Sequence, residues 1–384
     1  MNGLIYEIKD LLEQKRDVFK TAEKRQIEIW NGNNTDRQPL LLTCPLNACQ
    51  KERYPDYNTK ETHFDSEKML LHGLKRTLGV YNGSCDAVPS LRANMGCGIY
   101  PTMFGLRQTL FEDKMPWLLE NLPKETITRM EIGDIKISDE FRAGLEHMSY
   151  MADFLKDSPC RVFPMDLQGP CDTAHLVYGN RIFYDIYDDP GFVHHLLELC
   201  THAIIMGMEE CIRLIPDSSN VIAHYNCLAI PRSRGGLKIS EDTSTLLSRE
   251  HIEEFVVPYT MKILEHFGGG YIHYCGKNPN LFEAFINKPL AYGINFGNPD
   301  KHDMVYILKR CAEAGKIYYG SMGKRKSDNE TLAEFFTKYL NASKRDGHSF
   351  LLLGYSCDIT ERDKVVQAWE TAQKSSGINH NTIA

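Results

Sequence analysis

The chain has 384 residues, of which 42% are hydrophobic and 25% charged, and its formal net charge is −7. That balance is ordinary for a globular protein and argues against a nucleic-acid footprint, which needs a basic face. No apolar run approaches the roughly 18 residues a membrane span requires, and the length is within reach of one large α/β barrel.

The opening segment, MNGLIYEIKDLLEQKRDVFK, is interrupted by charge throughout. It reads as an amphipathic helix rather than a secretion signal, with Leu4, Ile5, Ile8, Leu11 and Leu12 on one face. The 12 cysteines are scattered, several in apolar context (Cys200, Cys211, Cys311), as expected for reduced thiols of a cytoplasmic protein. The domain reading is a helical extension over 1–35, one barrel over 36–372 and a flexible tail over 373–384.

In chain order, strands are expected at 39–43, within 84–91, and at 161–166, 220–225, 271–275, 292–296, 316–320 and 350–354. Helical patterns lie between the later ones. Asp189 and Pro190 cap a long helix carrying Val193, Leu196, Leu197, Cys200 and Ile204. Ser248 starts another that runs to the glycines at 268–270, with a kink at Pro258. Met304, Val305, Ile307, Leu308 and Cys311 mark a third, stopped by Gly315. Ser327 and Glu330 have capping-box spacing before a fourth. Alternation of strand and helix, with about eight strands, predicts the α/β class and a (β/α)₈ TIM barrel.

In such a barrel, chemistry sits where strands end. Residues 271–276 read Tyr-Ile-His-Tyr-Cys-Gly. His273 and Cys275 are two apart, so on an extended chain both point the same way and reach one ion. Chance alone supplies about 0.4 such pairs in a chain of this composition. Cys357, just after the last expected strand, completes a His-Cys-Cys set if the strand ends converge. Two thiolates and an imidazole suit zinc, and three protein ligands leave a fourth position for substrate. A packed strand-end histidine beside two inert thiols fits the spacing equally well.

Other candidates sit at expected strand ends. Asp166 and Asp86 could orient substrate, donate protons or supply a further ligand; each could equally be a cap or loop carboxylate. His224 and Asn226, beside Cys227, could line a pocket, or His224 could be a buried hydrogen-bonded histidine. Asn295 could bind substrate or shape a turn. His194 and His195 point in different directions from the long helix and read as surface and interface residues.

Six segments carry a family resemblance: Asp166-Leu-Gln-Gly169-Pro170, Tyr187-Asp-Asp-Pro190, Ser240-Glu-Asp242, Glu254-Phe-Val-Val-Pro258-Tyr259, His273-Tyr-Cys275-Gly276 and Gly354-Tyr-Ser-Cys357-Asp358. Together with weaker echoes at Asp36-Arg37-Gln-Pro39 and Met115-Pro-Trp117, they resemble the uroporphyrinogen decarboxylase superfamily from about residue 35 to 370. The likeness is stronger to its corrinoid-dependent methyltransferase branch. The resemblance implies a (β/α)₈ barrel, zinc on His273, Cys275 and Cys357, and a pocket-lining Asp242. It also implies a methyl group moved between a corrinoid and a small-molecule donor or a thiol acceptor. The corrinoid is expected on a separate partner protein, because no Asp-x-His-x-x-Gly cobalamin motif occurs.

Departures from the decarboxylases set the alternative, a metal-free carboxy-lyase, in second place. Where those enzymes carry paired arginines for porphyrin carboxylates, residues 40–49 here contain none. Cys357 stands where their motif has His, and His175, a substrate-binding candidate, stands where they have Tyr.

Overall fold

The structure, a computed structural model, describes residues 2–33, 35–325 and 329–378. It is mixed α/β. Six strands form one all-parallel sheet in the order Leu40–Thr43, Leu351–Ser356, Ile317–Gly320, Ala291–Phe296, Gly270–Tyr274, Lys238–Ser240. Most of these strands are buried along nearly their whole length, as expected of a parallel sheet covered by helices on its outer face. Hydrogen bonds continue beyond both edges. Asp86 N donates to Leu40 O at 3.0 Å, and Ser90–Leu91 pairs in parallel with Arg161–Val162. Gln168 forms a parallel bridge to Ser240.

Helices Asn2–Gln14 and Arg16–Trp30 precede the sheet. Ile5, Ile8 and Leu12 are buried, as the amphipathic spacing requires. The long helix is Pro190–Leu214, and the Asp189 side chain accepts from Phe192 N. Ser248 caps the next helix, and the kink at Pro258 takes the form of a π-helical turn, Ile252–Val256. Proline has no N–H and its ring crowds the carbonyl four residues back, so the turn before it widens. Gly268 and Gly315 end their helices in the left-handed conformation.

Four expectations differ from what is observed. Residues 220–225 do not form a strand of the parallel sheet: Val221–His224 folds back antiparallel onto Leu228–Pro231. A parallel strand that the sequence did not suggest, Lys238–Ser240, lies beside Gly270–Tyr274 instead. The capping box before helix Leu332–Ala342 is Thr331 with Glu334; Ser327 lies outside the described residues. The tail boundary at 373 falls within the last helix, Arg362–Ser376, where Gln373 is buried and accepts from Gln38 N at 2.7 Å; residues 379–384 lie outside the described residues.

Candidate active site

The C-terminal strand ends surround a cavity of about 1010 Å³, lined among others by Cys44, Arg92, Asp166, Lys238, His273 and Asn295. Strand register places its centre. His273 stands opposite Ser240 on one side and Asn295 on the other. Asn295 donates through Nδ2 to Tyr319 O at 2.5 Å, which turns its Oδ1 toward His273 Nδ1 in a short contact. A side-chain carbonyl only accepts, so Nδ1 carries the proton and Nε2 keeps its lone pair. That lone pair faces Cys275 Sγ at 3.7 Å. Burial, helped by the Lys238 ammonium, lowers the His273 pKa to about 4, so the ring is neutral at pH 7. Two glycines make room. A Cβ on Gly297 would lie 2.4 Å from Cys275 Sγ, and one on Gly320, whose φ is +135°, would lie 2.5 Å from Asn295 Nδ2.

Asp242 completes a donor cluster. One oxygen of its carboxylate, Nε2 or Nδ1 of His273 and Sγ of Cys275 all lie within 4.8 Å of one another. Oδ1 of Asp242 accepts from Cys275 N at 2.5 Å. The loop carrying Asp242 is pinned by the buried Asp172, which accepts from the backbone N–H groups of Asp242 and Thr243 at 2.8 and 2.6 Å. Burial and the neighbouring Asp242 raise the Asp172 pKa to about 7. Glu241, fully buried, accepts from Thr260 and Ser244, while its own N–H reaches His273 O at 2.8 Å. Burial and the Asp242 carboxylate also push the Cys275 thiol up.

Cys357 is not part of that cluster. Its sulfur lies 3.9 Å from Cys44 Sγ, the two cysteines directly following strands Leu351–Ser356 and Leu40–Thr43, with two further strands between it and Cys275. Of the expected His273, Cys275 and Cys357 set, the first two therefore share a donor cluster with Asp242, while Cys357 stands beside Cys44. Cys275 directly follows strand Gly270–Tyr274, and the strand order puts the last strand three places away.

Asp166 lines the cavity with Arg92 at 2.8 Å and Lys238 at 3.8 Å. Burial would raise its pKa, but the two cations outweigh burial and hold it well below the usual carboxylate range. It is ionised there, and a poor proton donor. Asp86 does not belong to this site. It accepts from Leu40 N, Arg25 and Arg37 where the strands begin, and is fully buried. It closes an ion-pair network that anchors the second N-terminal helix, with Arg25 also paired to Asp36.

His224 lines the cavity, buried, donating Nε2–H to Gly236 O at 2.8 Å; burial lowers its pKa to about 4. The Asn226 side chain lies outside the described residues. His175 is absent from the cavity lining: its ring contacts Thr243 Oγ1 at 3.2 Å and Asn180 Oδ1 at 2.8 Å, bracing the Asp242 loop from behind. His194 and His195 tie the long helix to its neighbours through Tyr259 at 2.8 Å and the Ile127 carbonyl at 3.2 Å, so neither is a free surface residue.

The sequence did not single out Arg92, Lys238, His72 or Asn94. All four line the cavity, and His72 Nδ1 and Asn94 Oδ1 are buried without a protein partner among the described residues. Arg92 did leave a signal, a charge directly after an expected strand. Lys238 left none, because its strand is three residues long.

No protein-family model matches the chain, and no curated protein does. Among solved structures, a methyltransferase from Methanosarcina mazei is similar in fold, with a TM-score of 0.59 at 13% identity. The match covers 91% of this chain and 98% of that one. Among the described residues, no helix is long and apolar enough to cross a membrane.

Proposed function

We propose that this chain is a zinc-dependent methyltransferase on a closed (β/α)₈ barrel. In this reading it exchanges a methyl group between a corrinoid on a partner protein and a small-molecule donor or thiol acceptor. The observation that carries the proposal is the His273–Cys275 pair. Two ligands on one tetrahedral zinc lie roughly 3.5 Å apart at usual bond lengths, and these two atoms are 3.7 Å apart with the imidazole lone pair directed at the sulfur. Closure is supported by the edge hydrogen bonds: the 86–91, 161–168 and 238–240 segments link the two outer strands of the sheet in turn.

His273 and Cys275 would hold the ion, with Asp242 or Cys357 as third ligand. Bound there, zinc supplies Lewis acidity, making a coordinated thiol acidic or polarising the heteroatom of a methyl donor. Asn295 fixes the His273 tautomer, as outer hydrogen-bond partners of metal-ligating histidines do. Asp166, between Arg92 and Lys238, orients substrate. Apolar side chains around Phe163 and Met165 line the same cavity and limit water. The corrinoid partner docks at the mouth.

Metal analysis of protein purified without added zinc tests the proposal. About one zinc per chain is expected, falling sharply in Cys275→Ser, with methyl transfer from methylcobalamin to thiols falling alongside. Comparing Asp242→Asn with Cys357→Ser identifies the third ligand. Absence of metal in wild-type protein with undiminished turnover in Cys275→Ser would sink the proposal. One feature favours the second reading, a metal-free carboxy-lyase: Arg92 and Lys238 in the cavity suit a carboxylate substrate. The same metal analysis separates the two.

A further inference from the structure

We propose that Cys44 and Cys357 are a redox modification site that closes to a reversible disulfide when a low-molecular-weight disulfide such as oxidised glutathione is present. The inference rests on strand register and applies to the metal-free chain, since zinc held by Cys357 would compete with the exchange. Leu40–Thr43 and Leu351–Ser356 pair in parallel from Leu40 with Leu353 to Thr43 with Ser356. Cys44 and Cys357 are the next pair in that register, and the ladder continues to them, Cys357 N donating to Thr43 O at 3.2 Å. Neighbouring strands run about 4.8 Å apart, inside the roughly 4.4–6.8 Å range of Cα separations that a disulfide spans. Cross-strand partners project to the same face. The sulfur atoms are already 3.9 Å apart, so only a small further approach brings them to bonding distance.

The two thiols divide the work by access. Cys357 is partly exposed, whereas Cys44 is buried and lines the cavity. Burial and the neighbouring Cys44 push the Cys357 thiol up to about 12, so the exchange is slow and runs through its small thiolate fraction. That sulfur attacks one sulfur of the small disulfide, releasing one thiolate, which takes up a proton, and leaving a mixed disulfide on Cys357. Cys44, deprotonated in turn, attacks the Cys357 sulfur and expels the second small thiolate. Two protein thiols are oxidised, one small disulfide is reduced to two thiols, and no other reactant is needed. The bond changes the cavity wall at Cys44 and leaves Cys357 no free thiolate for a metal.

The test treats reduced, chelator-stripped full-length protein with millimolar oxidised glutathione, blocks the remaining thiols and maps tryptic peptides. The expected product joins 38–51, which holds Cys44 and Cys49, to 346–362, which holds Cys357. Fragmentation should place the bond on Cys44. Cys49→Ser, at an exposed position, should form the link as wild type does, and reduction with dithiothreitol should restore two thiols. Cys44→Ser should stop at glutathione bound to Cys357. Wild-type protein that stops at that mixed disulfide, links through Cys49 or stays fully reduced would overturn the proposal. Fragmentation of the wild-type peptide decides the matter even if Cys44→Ser fails to fold.

Discussion

Replacing Asn295 with alanine removes the hydrogen-bond partner of His273 Nδ1 among the described residues. The substitution deletes two hydrogen bonds, one to His273 and one to the Tyr319 carbonyl. Loss of buried hydrogen bonds of this kind costs about 1–3 kcal/mol of stability. The larger effect is on the imidazole. Without a carbonyl at Nδ1 the ring is free to rotate and to move its proton to Nε2, which removes the lone pair now facing Cys275. Loss of such an outer partner lowers metal affinity by about 10- to 100-fold, or about 1.4–2.8 kcal/mol. Zinc affinity measured by competition with a chromophoric chelator should fall within that range, while Asn295→Asp, which keeps an acceptor, should retain most of it. Thermal unfolding of the metal-free proteins reports the stability term separately. A zinc Kd in Asn295→Ala within twofold of wild type would refute the argument that this amide sets the tautomer.

Three further outcomes are expected. His224 is neutral and buried with a folded-state pKa of about 4 against 6.5 when unfolded, so below pH 6.5 the unfolded chain binds the extra proton. Stability should therefore be lost as pH falls from 6.5 toward 4, by about 3 kcal/mol over that window. Denaturant melts of His224→Gln, which keeps a donor for Gly236 O, should show a shallower acid limb; an unchanged limb would count against it. Asp86→Ala should lower stability by about 3 kcal/mol, because Arg25 and Arg37 lose a fully buried partner. It should leave metal content unchanged, since Asp86 lies at the opposite end of the strands; metal loss in a folded variant would contradict that placement. Uroporphyrinogen should not be turned over, because residues 40–49 lack the paired arginines a polycarboxylate needs; coproporphyrinogen formed at an enzymatic rate would reverse the ranking of the two readings.

Much of the fold was legible in the sequence because it rests on local rules. Apolar runs of strand length at 40–43, 317–320 and 351–356 have few alternatives to burial in a parallel sheet. Asp189 before Pro190, and Gly268 and Gly315 after their helices, state where those helices begin and end. Period-two geometry alone was enough to put His273 and Cys275 on one side of their strand. Lys238–Ser240 escaped because three residues show no periodicity, and 220–225 misled because antiparallel and parallel strands have the same local pattern. Only the tertiary structure decided which distant groups share a space. It gathered Asp242 with His273 and Cys275, set Cys357 beside Cys44, carried Asp86 to the far end and placed Arg92 and Lys238 on either side of Asp166. Those separations depend on strand order and register, which sum many weak long-range contacts, and no single stretch of sequence encodes them.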